Sequence, residues 1–253
     1  MIRPSTIGDV RATSPLGRAS PLAKLGIAMI WLIGLAFTVR PGPPLAIAVV
    51  AFGAGVVLGR IRPLALVRAL APLWLVAGVV IVSNVLFGAA NPDPASTELG
   101  RFGPLRVTAE AVATAAGLGL RVVAIAVVGA VFALTTEPTT FVDALVQQGR
   151  VPERFAYGAL AAYQAIPRFA DDLVALRQAR RIRGLRGGWH PRLLVGLLVL
   201  AIRHGDRVAL SMDARGFGSG PRSRFRVVRW RAVDGLLVAA AVAALGAAIR
   251  LSP

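Results

Sequence analysis

The sequence predicts an all-α polytopic membrane protein, with about five transmembrane helices and a set of amphipathic helices between the last two. Three observations carry this. The 253 residues are 56% hydrophobic with mean hydropathy +0.68, too apolar and too poor in charge for a soluble domain of this length. The apolar residues fall in separate long runs. The positive charge, net +17, crowds between those runs and above all between the fourth and the fifth.

A helix needs about 20 apolar residues to cross the hydrocarbon core of a bilayer. Four segments before residue 135 qualify, roughly Leu22–Val39, Pro43–Gly59, Ala69–Ala89 and Ala109–Leu134, and a fifth runs from about Val233 to Ile249. The first follows a basic start, but its apolar run is long for a signal-peptide core. No small-residue cleavage pattern precedes Pro41, so it reads as a retained span. Three parts result: a membrane part over 1–134, a polar segment over 135–231 and a terminal span over 232–253.

Arginine placement sets the expected orientation. Arg3, Arg11, Arg18 and Lys24 precede or open the first span, Arg60, Arg62 and Arg68 join the second to the third, and 17 arginines against seven acids occupy 135–231. With four spans before residue 135 these regions share one side. The positive-inside rule makes that side cytoplasmic, with a cytoplasmic N-terminus in the plasma membrane and an external C-terminus. Asn91-Pro92-Asp93-Pro94 reads as an exposed external turn. Arg121, inside the fourth span, is either a contact to a partner or another helix, or the mark of a displaced span boundary or of snorkelling.

The segment 135–231 carries helix punctuation. Thr135-Thr136-Glu137-Pro138 is a helix start, with a threonine cap, then acid and proline in the first turn; that helix is expected to reach Gln148 and stop at Gly149. Val151-Pro152 opens a second element carrying Phe155, Leu160 and Tyr163. Pro167 is expected to restart the chain, with a helix from Arg168 to Arg183 whose Phe169, Leu173 and Leu176 recur at helical spacing. Leu193–Ile202 is apolar but too short to span, and is expected to lie against the membrane or the other spans. It continues into a polar stripe of Arg203, Arg207, Ser211 and Arg215 opposite Leu198, Ile202, Ala209 and Met212.

Two of these helices end alike. Ala179-Arg180-Arg181-Ile182-Arg183-Gly184 and Met212-Asp213-Ala214-Arg215-Gly216-Phe217 each finish on Arg-Gly. Glycine after a helix takes the left-handed conformation readily, and a cation suits the C-terminal end of the helix dipole. Each arginine could simply cap its own helix. The repetition points further, because a guanidinium is a rigid donor fork suited to carboxylates and carbonyls on a partner.

Composition and motifs also exclude chemistry. Without cysteine there is no disulfide, thiol catalysis or cysteine-ligated metal, and His190 and His204 are too few for a histidine-rich metal site. Nucleic acid is not an expected partner, because the arginines flank apolar spans with few interleaved aromatics. No Gly-x-x-x-x-Gly-Lys-Ser/Thr loop is present; Gly184-Leu185-Arg186-Gly187-Gly188 and Gly216-Phe217-Gly218-Ser219-Gly220 read as flexible helix exits. No catalytic residue, cofactor or metal is expected. Two other readings compete. One is a membrane enzyme acting on a phosphorylated lipid through Asp171-Asp172, which lacks the second acidic motif. The other is the permease of a conventional ABC importer, which would show one short coupling helix.

The chain resembles the transmembrane T component of energy-coupling factor (ECF) transporters. Ser20-Pro21-Leu22-Ala23-Lys24-Leu25 is similar to that family's opening of the first helix. Thr135-Thr136-Glu137-Pro138 with Ala144-Leu145, then Val151-Pro152-Glu153-Arg154-Phe155 and Tyr163-Gln164-Ala165-Ile166-Pro167, resemble its central motifs. Ala209-Leu210-Ser211-Met212-Asp213-Ala214-Arg215-Gly216-Phe217 is close to its second signature. The first signature is usually Ala-Arg-Gly and here reads Ile182-Arg183-Gly184, a change expected to alter local packing only. The resemblance implies a coupling subunit, not an enzyme, that binds two ABC-type ATPases through coupling helices. Arg183, Gly184, Ala214, Arg215 and Gly216 would make those contacts, supported by Arg180, Arg181, Met212 and Phe217. It implies further that ATP-driven motion passes to a small membrane-embedded S component that binds a vitamin or metal ion.

Overall fold

Proline at the start and small residues within shape the helices of this chain. The computed structural model describes residues 14–38, 40–89, 91, 96–102, 105–185, 190–220, 224 and 226–250. They form α1 (Pro15–Arg18), α2 (Pro21–Ala36), α3 (Gly42–Val57), α4 (Pro63–Phe87), β1 (Glu98–Phe102), β2 (Leu105–Thr108), α5 (Ala109–Thr135), α6 (Pro138–Gln147), α7 (Glu153–Ile182), α8 (Pro191–Ala214) and α9 (Ala232–Arg250). Helices α1 to α4 and α8 each carry proline in their first turn, where its missing N–H would have no intrahelical partner anyway. The all-α expectation holds, with one short antiparallel hairpin added.

Two compact units divide the chain. The first comprises the described residues up to Phe141 together with those from Arg229. Its α4, α5 and α9 are long and apolar enough to cross a membrane, while α2 and α3 are apolar but shorter, at 16 residues each. Trp31, Leu35, Ile47, Leu66, Val127 and Ala241 are buried at its centre. Outward positions of α4 expose Leu64, Trp74, Leu75, Val79 and Val82, the apolar exterior that lipid requires. Without a hydrophobic drive between helices in lipid, close approach at small residues holds them together. A Cβ at Gly119 of α5 would overlap Ile81 of α4, and one at Gly34 of α2 would crowd Leu245 of α9.

Buried polar ties fasten the same unit. Asp234 is 1% exposed; its Oδ1 accepts from the Ser20 amide at 2.8 Å and its Oδ2 from the Arg231 amide at 2.9 Å. One carboxylate thereby serves the starts of α2 and α9 together, where the helix dipole favours negative charge. The Trp31 indole donates to the Ala241 carbonyl at 2.9 Å. The Lys24 ammonium, also buried, donates to the Thr135 carbonyl at 2.9 Å.

The second unit, Val142–Val228, holds most of α6 with α7 and α8. Helices α7 and α8 run antiparallel, since Phe169 meets His204 edge-on at 6.0 Å and Leu176 faces Gly196.

Several expectations are corrected. Pro167 does not restart the chain: α7 is continuous from Glu153 to Ile182 with Pro167 inside it. The proline removes one amide donor, and the helix beyond it packs on α8 through Phe169 and Leu176. The third span begins at Pro63, earlier than Ala69, and runs through Pro72 in the same way. Asn91 is not an exposed turn but a buried hub: its amide donates to the Val85 and Leu86 carbonyls, and its Oδ1 accepts from the Thr108 amide and hydroxyl. The remainder of that predicted turn, residues 92–94, lies outside the described residues. Beyond it, β1 and β2 pair antiparallel, with Arg106 Nε 3.0 Å from Glu98 Oε2 as an ion pair without hydrogen-bond alignment. Arg121 sits mid-way along the 27-residue α5, and its Nε is buried without a hydrogen-bond partner among the described residues.

Candidate functional site

The ends of α7 and α8 are built to one pattern. In α7 the last helical residue is Ile182, Arg183 is the C-cap and Gly184 follows with φ +74°. The Gly184 amide donates to the Arg181 carbonyl at 3.0 Å and the Leu185 amide to the Arg180 carbonyl at 3.1 Å. In α8 the last helical residue is Ala214, Arg215 is the C-cap and Gly216 has φ +65°. The Gly216 amide donates to the Asp213 carbonyl at 2.9 Å and the Phe217 amide to the Met212 carbonyl at 3.0 Å. Both are Schellman motifs, in which a left-handed residue lets two amides close the orphan carbonyls of the last turn. Only glycine takes that conformation without a Cβ penalty.

This geometry assigns the sequence-predicted residues separate places. Arg183 and Arg215 stand exposed at the two caps, and Ala214 is exposed beside Arg215. Arg180, Arg181 and Met212 lend backbone carbonyls to the caps; Arg180 is half-buried and Arg181 exposed. Ile182 is 87% exposed, so the expected change in local packing does not arise within this chain. The loop 186–188 lies outside the described residues.

The second end is braced from behind. Phe217 packs edge-on against Tyr157 at 6.2 Å, and an Arg154 Nη2 donates to the Gly218 carbonyl at 3.4 Å. Tyr157 in turn donates its hydroxyl to Asp143 of α6 at 2.8 Å. Burial, then that hydrogen bond to the carboxylate, push the Tyr157 phenol up to about 12. The chain leaving this loop is held by α6 as well: Gln147 donates to the Arg226 carbonyl at 2.8 Å and accepts from the Val228 amide at 2.9 Å, while Gln148 donates to the Val228 carbonyl at 3.3 Å. In the sequence Arg154 stands in a motif without a role, and Asp143, Tyr157 and Gln147 are missed. Asp143 and Tyr157 are polar residues on otherwise apolar helix faces, which was the available signal.

The stripe opposite Arg203, Arg207, Ser211 and Arg215 is not covered by the described residues. Leu194, Val195, Leu198, Val199 and Ile202 of α8 are all exposed, a contiguous apolar face on a helix whose other face is cationic. In soluble surroundings such a face marks an interaction site. Among the described residues no group of histidines or acids could hold a metal ion.

Comparison with known proteins identifies the family. Residues 12–227 match the CbiQ family, described as cobalt transport protein. The chain belongs to the CbiQ family. The EcfT energy-coupling factor transporter transmembrane proteins of Listeria innocua and Limosilactobacillus fermentum are each 26% identical to it. The first alignment covers 72% of this chain and 74% of the relative, the second 92% and 91%. A putative ABC transporter ATP-binding protein of Bifidobacterium longum is also 26% identical over 98% of this chain, which spans 33% of that longer protein. This CbiQ-family chain is thus the transmembrane (T) component of an ECF-type transporter. Its two Arg-Gly ends fall within the matched region.

Proposed function

We propose that this T component couples two ABC-type ATPases to a substrate-binding S component, driving uptake of a vitamin or metal ion across the plasma membrane. The matching Schellman ends of α7 and α8 carry the reading. Each fixes an exposed arginine at a helix terminus, where the guanidinium projects beyond the last turn and can enter a groove on an ATPase surface. Two equivalent ends suit two ATPases. A relative named as an ATP-binding protein, longer than the region this chain matches, supports an ATPase partner. The uncovered apolar face of α8 suits the membrane-embedded S component. The subunit itself hydrolyses nothing, and ATP turnover belongs to its partners. Its basic ends, with the N-terminus, face the cytoplasm.

Arg183→Ala and Arg215→Ala test this. Both guanidiniums are exposed in the lone chain, so their removal leaves insertion in the membrane intact. Truncating one partner of a charge-assisted hydrogen bond at a buried interface costs about 2–5 kcal/mol, so each variant should lose ATPases on purification or hydrolyse ATP without uptake. If the double variant assembled and transported like the wild type, the docking assignment would be wrong. Labelling that reached positions 183 and 215 from outside intact cells would remove it altogether.

A further inference from the structure

Three arginines from separate parts of the chain line one cavity in the first unit. Arg18 ends α1, Arg60 follows α3 and Arg231 precedes α9; together with Asp234 they border a volume of about 590 Å³. Among the described residues the charge there is unbalanced. Asp234 is the one acid of the lining, and both its oxygens are engaged by backbone amides. None of the three guanidiniums has a hydrogen bond or ion pair among the described residues. Arg60 is moreover held at φ +50°, a left-handed conformation that a non-glycine residue keeps only where the surroundings enforce it.

A second, apolar groove of about 200 Å³ lies among α1, α2, α3, α5 and α9. Its lining includes Leu16, Trp31, Leu58, Val131, Leu237 and Ala240. Leu16 adjoins Pro15 of the cationic cavity, Leu58 lies two residues before Arg60, and Leu237 lies one helical turn beyond Val233. The groove belongs to the ends of membrane-spanning helices, so hydrocarbon is the solvent at hand. A cationic cavity beside an apolar groove fits a molecule with an anionic head and a hydrocarbon tail. Guanidiniums match phosphate oxygens with paired N–H donors, and basic pockets between membrane helices take anionic lipid headgroups.

We propose that this unit holds one anionic phospholipid, its phosphate on Arg18, Arg60 and Arg231 and an acyl chain in the groove over Trp31. The lipid would cross-brace α1, the α3–α4 turn and α9. The site does not involve Arg183 or Arg215, and its failure would leave the coupling reading untouched.

Trp31 supplies the probe. Trp74→Phe, Trp189→Phe and Trp230→Phe leave it as the single indole of the full chain. That protein is placed in phosphatidylcholine nanodiscs containing a small fraction of tail-brominated phosphatidylglycerol or, in a parallel arm, tail-brominated phosphatidylcholine. The anionic lipid should quench Trp31 saturably at a mole fraction roughly ten-fold below the zwitterionic one. R60Q and R231Q should each raise its half-quenching fraction roughly five-fold, and Ala240→Phe, at an exposed position of the groove, should suppress quenching by both. A variant that had lost its fold would alter both arms, whereas a weakened hold on the headgroup alters only the anionic arm. Equal quenching by the two lipids overturns the proposal, since ordinary bilayer chains would then fill the groove. So does an unchanged response in R60Q/R231Q. Full reversal by millimolar inorganic phosphate at constant ionic strength would also overturn it, showing a free-anion cavity instead.

Discussion

Gly184 offers a clean perturbation of the α7 end. A Cβ built there meets nothing within 4 Å, so Gly184→Ala introduces no clash and changes only the backbone energy at φ +74°. That conformation costs an L-residue with a Cβ roughly 1–2 kcal/mol. The two cap hydrogen bonds, at 3.0 and 3.1 Å, require it, so the variant either bears the strain or gives up the cap and lets Arg183 wander. In either case the arginine is presented less often in its docked pose. A penalty of about 1 kcal/mol corresponds to roughly five-fold weaker binding. Asparagine tolerates the left-handed region, so Gly184→Asn should fall between wild type and alanine, and Gly184→Val should lie furthest down. The assay is the apparent Kd of the nucleotide-loaded ATPases for the reconstituted subunit, with circular dichroism confirming unchanged helix content. If Gly184→Val bound the ATPases as tightly as the wild type, the cap would have no part in presenting Arg183.

Gly216→Ala should weaken ATPase binding more than Gly184→Ala, because its Cβ would also lie 3.0 Å from Ser219 Oγ, whose hydroxyl donates to the Gly216 carbonyl at 2.7 Å; an equal effect would argue against the steric contribution. Asp234→Asn retains one acceptor for two buried amides, so a thermal melt in detergent should show a loss of about 1–3 kcal/mol, and an unchanged melt would mean the carboxylate is not needed. The raised Tyr157 phenol contributes stability that is complete below pH 10 and lost as pH rises toward 12. In a Tyr163→Phe background the ultraviolet absorbance of the remaining phenol should titrate near 12, and Asp143→Asn should bring the midpoint down; a midpoint near 10 in the parent would refute the buried hydrogen bond.

Much of the fold was legible because lipid imposes a simple rule. The apolar runs mark the three long and two shorter apolar helices of the first unit to within a few residues at most ends, and the Arg-Gly pairs announce both helix caps. The errors arise where tertiary packing overrides local signal. Pro167 and Pro72 are strong breakers in isolation, yet each sits inside a helix whose neighbouring turns are held by packing. The β1–β2 hairpin escapes because its strands are short and weakly alternating, and because Asn91, which anchors it through Thr108, reads as a turn residue. Lys24 and Asp234 look like loop charge near span ends. Their buried roles depend on Thr135 and Ser20, residues 111 and 214 positions away, a distance no local pattern conveys.

The carboxylate shared by Ser20 and Arg231 also makes one helix depend on another far along the chain. Helix α2 finds its amide acceptor Asp234, its indole acceptor at Ala241 and the leucine that fills the notch at Gly34 all on α9. Without α9 that seam of α2 has nothing to close it. A chain cut short before residue 231 lacks all three contacts, and that edge of α2 stays uncovered.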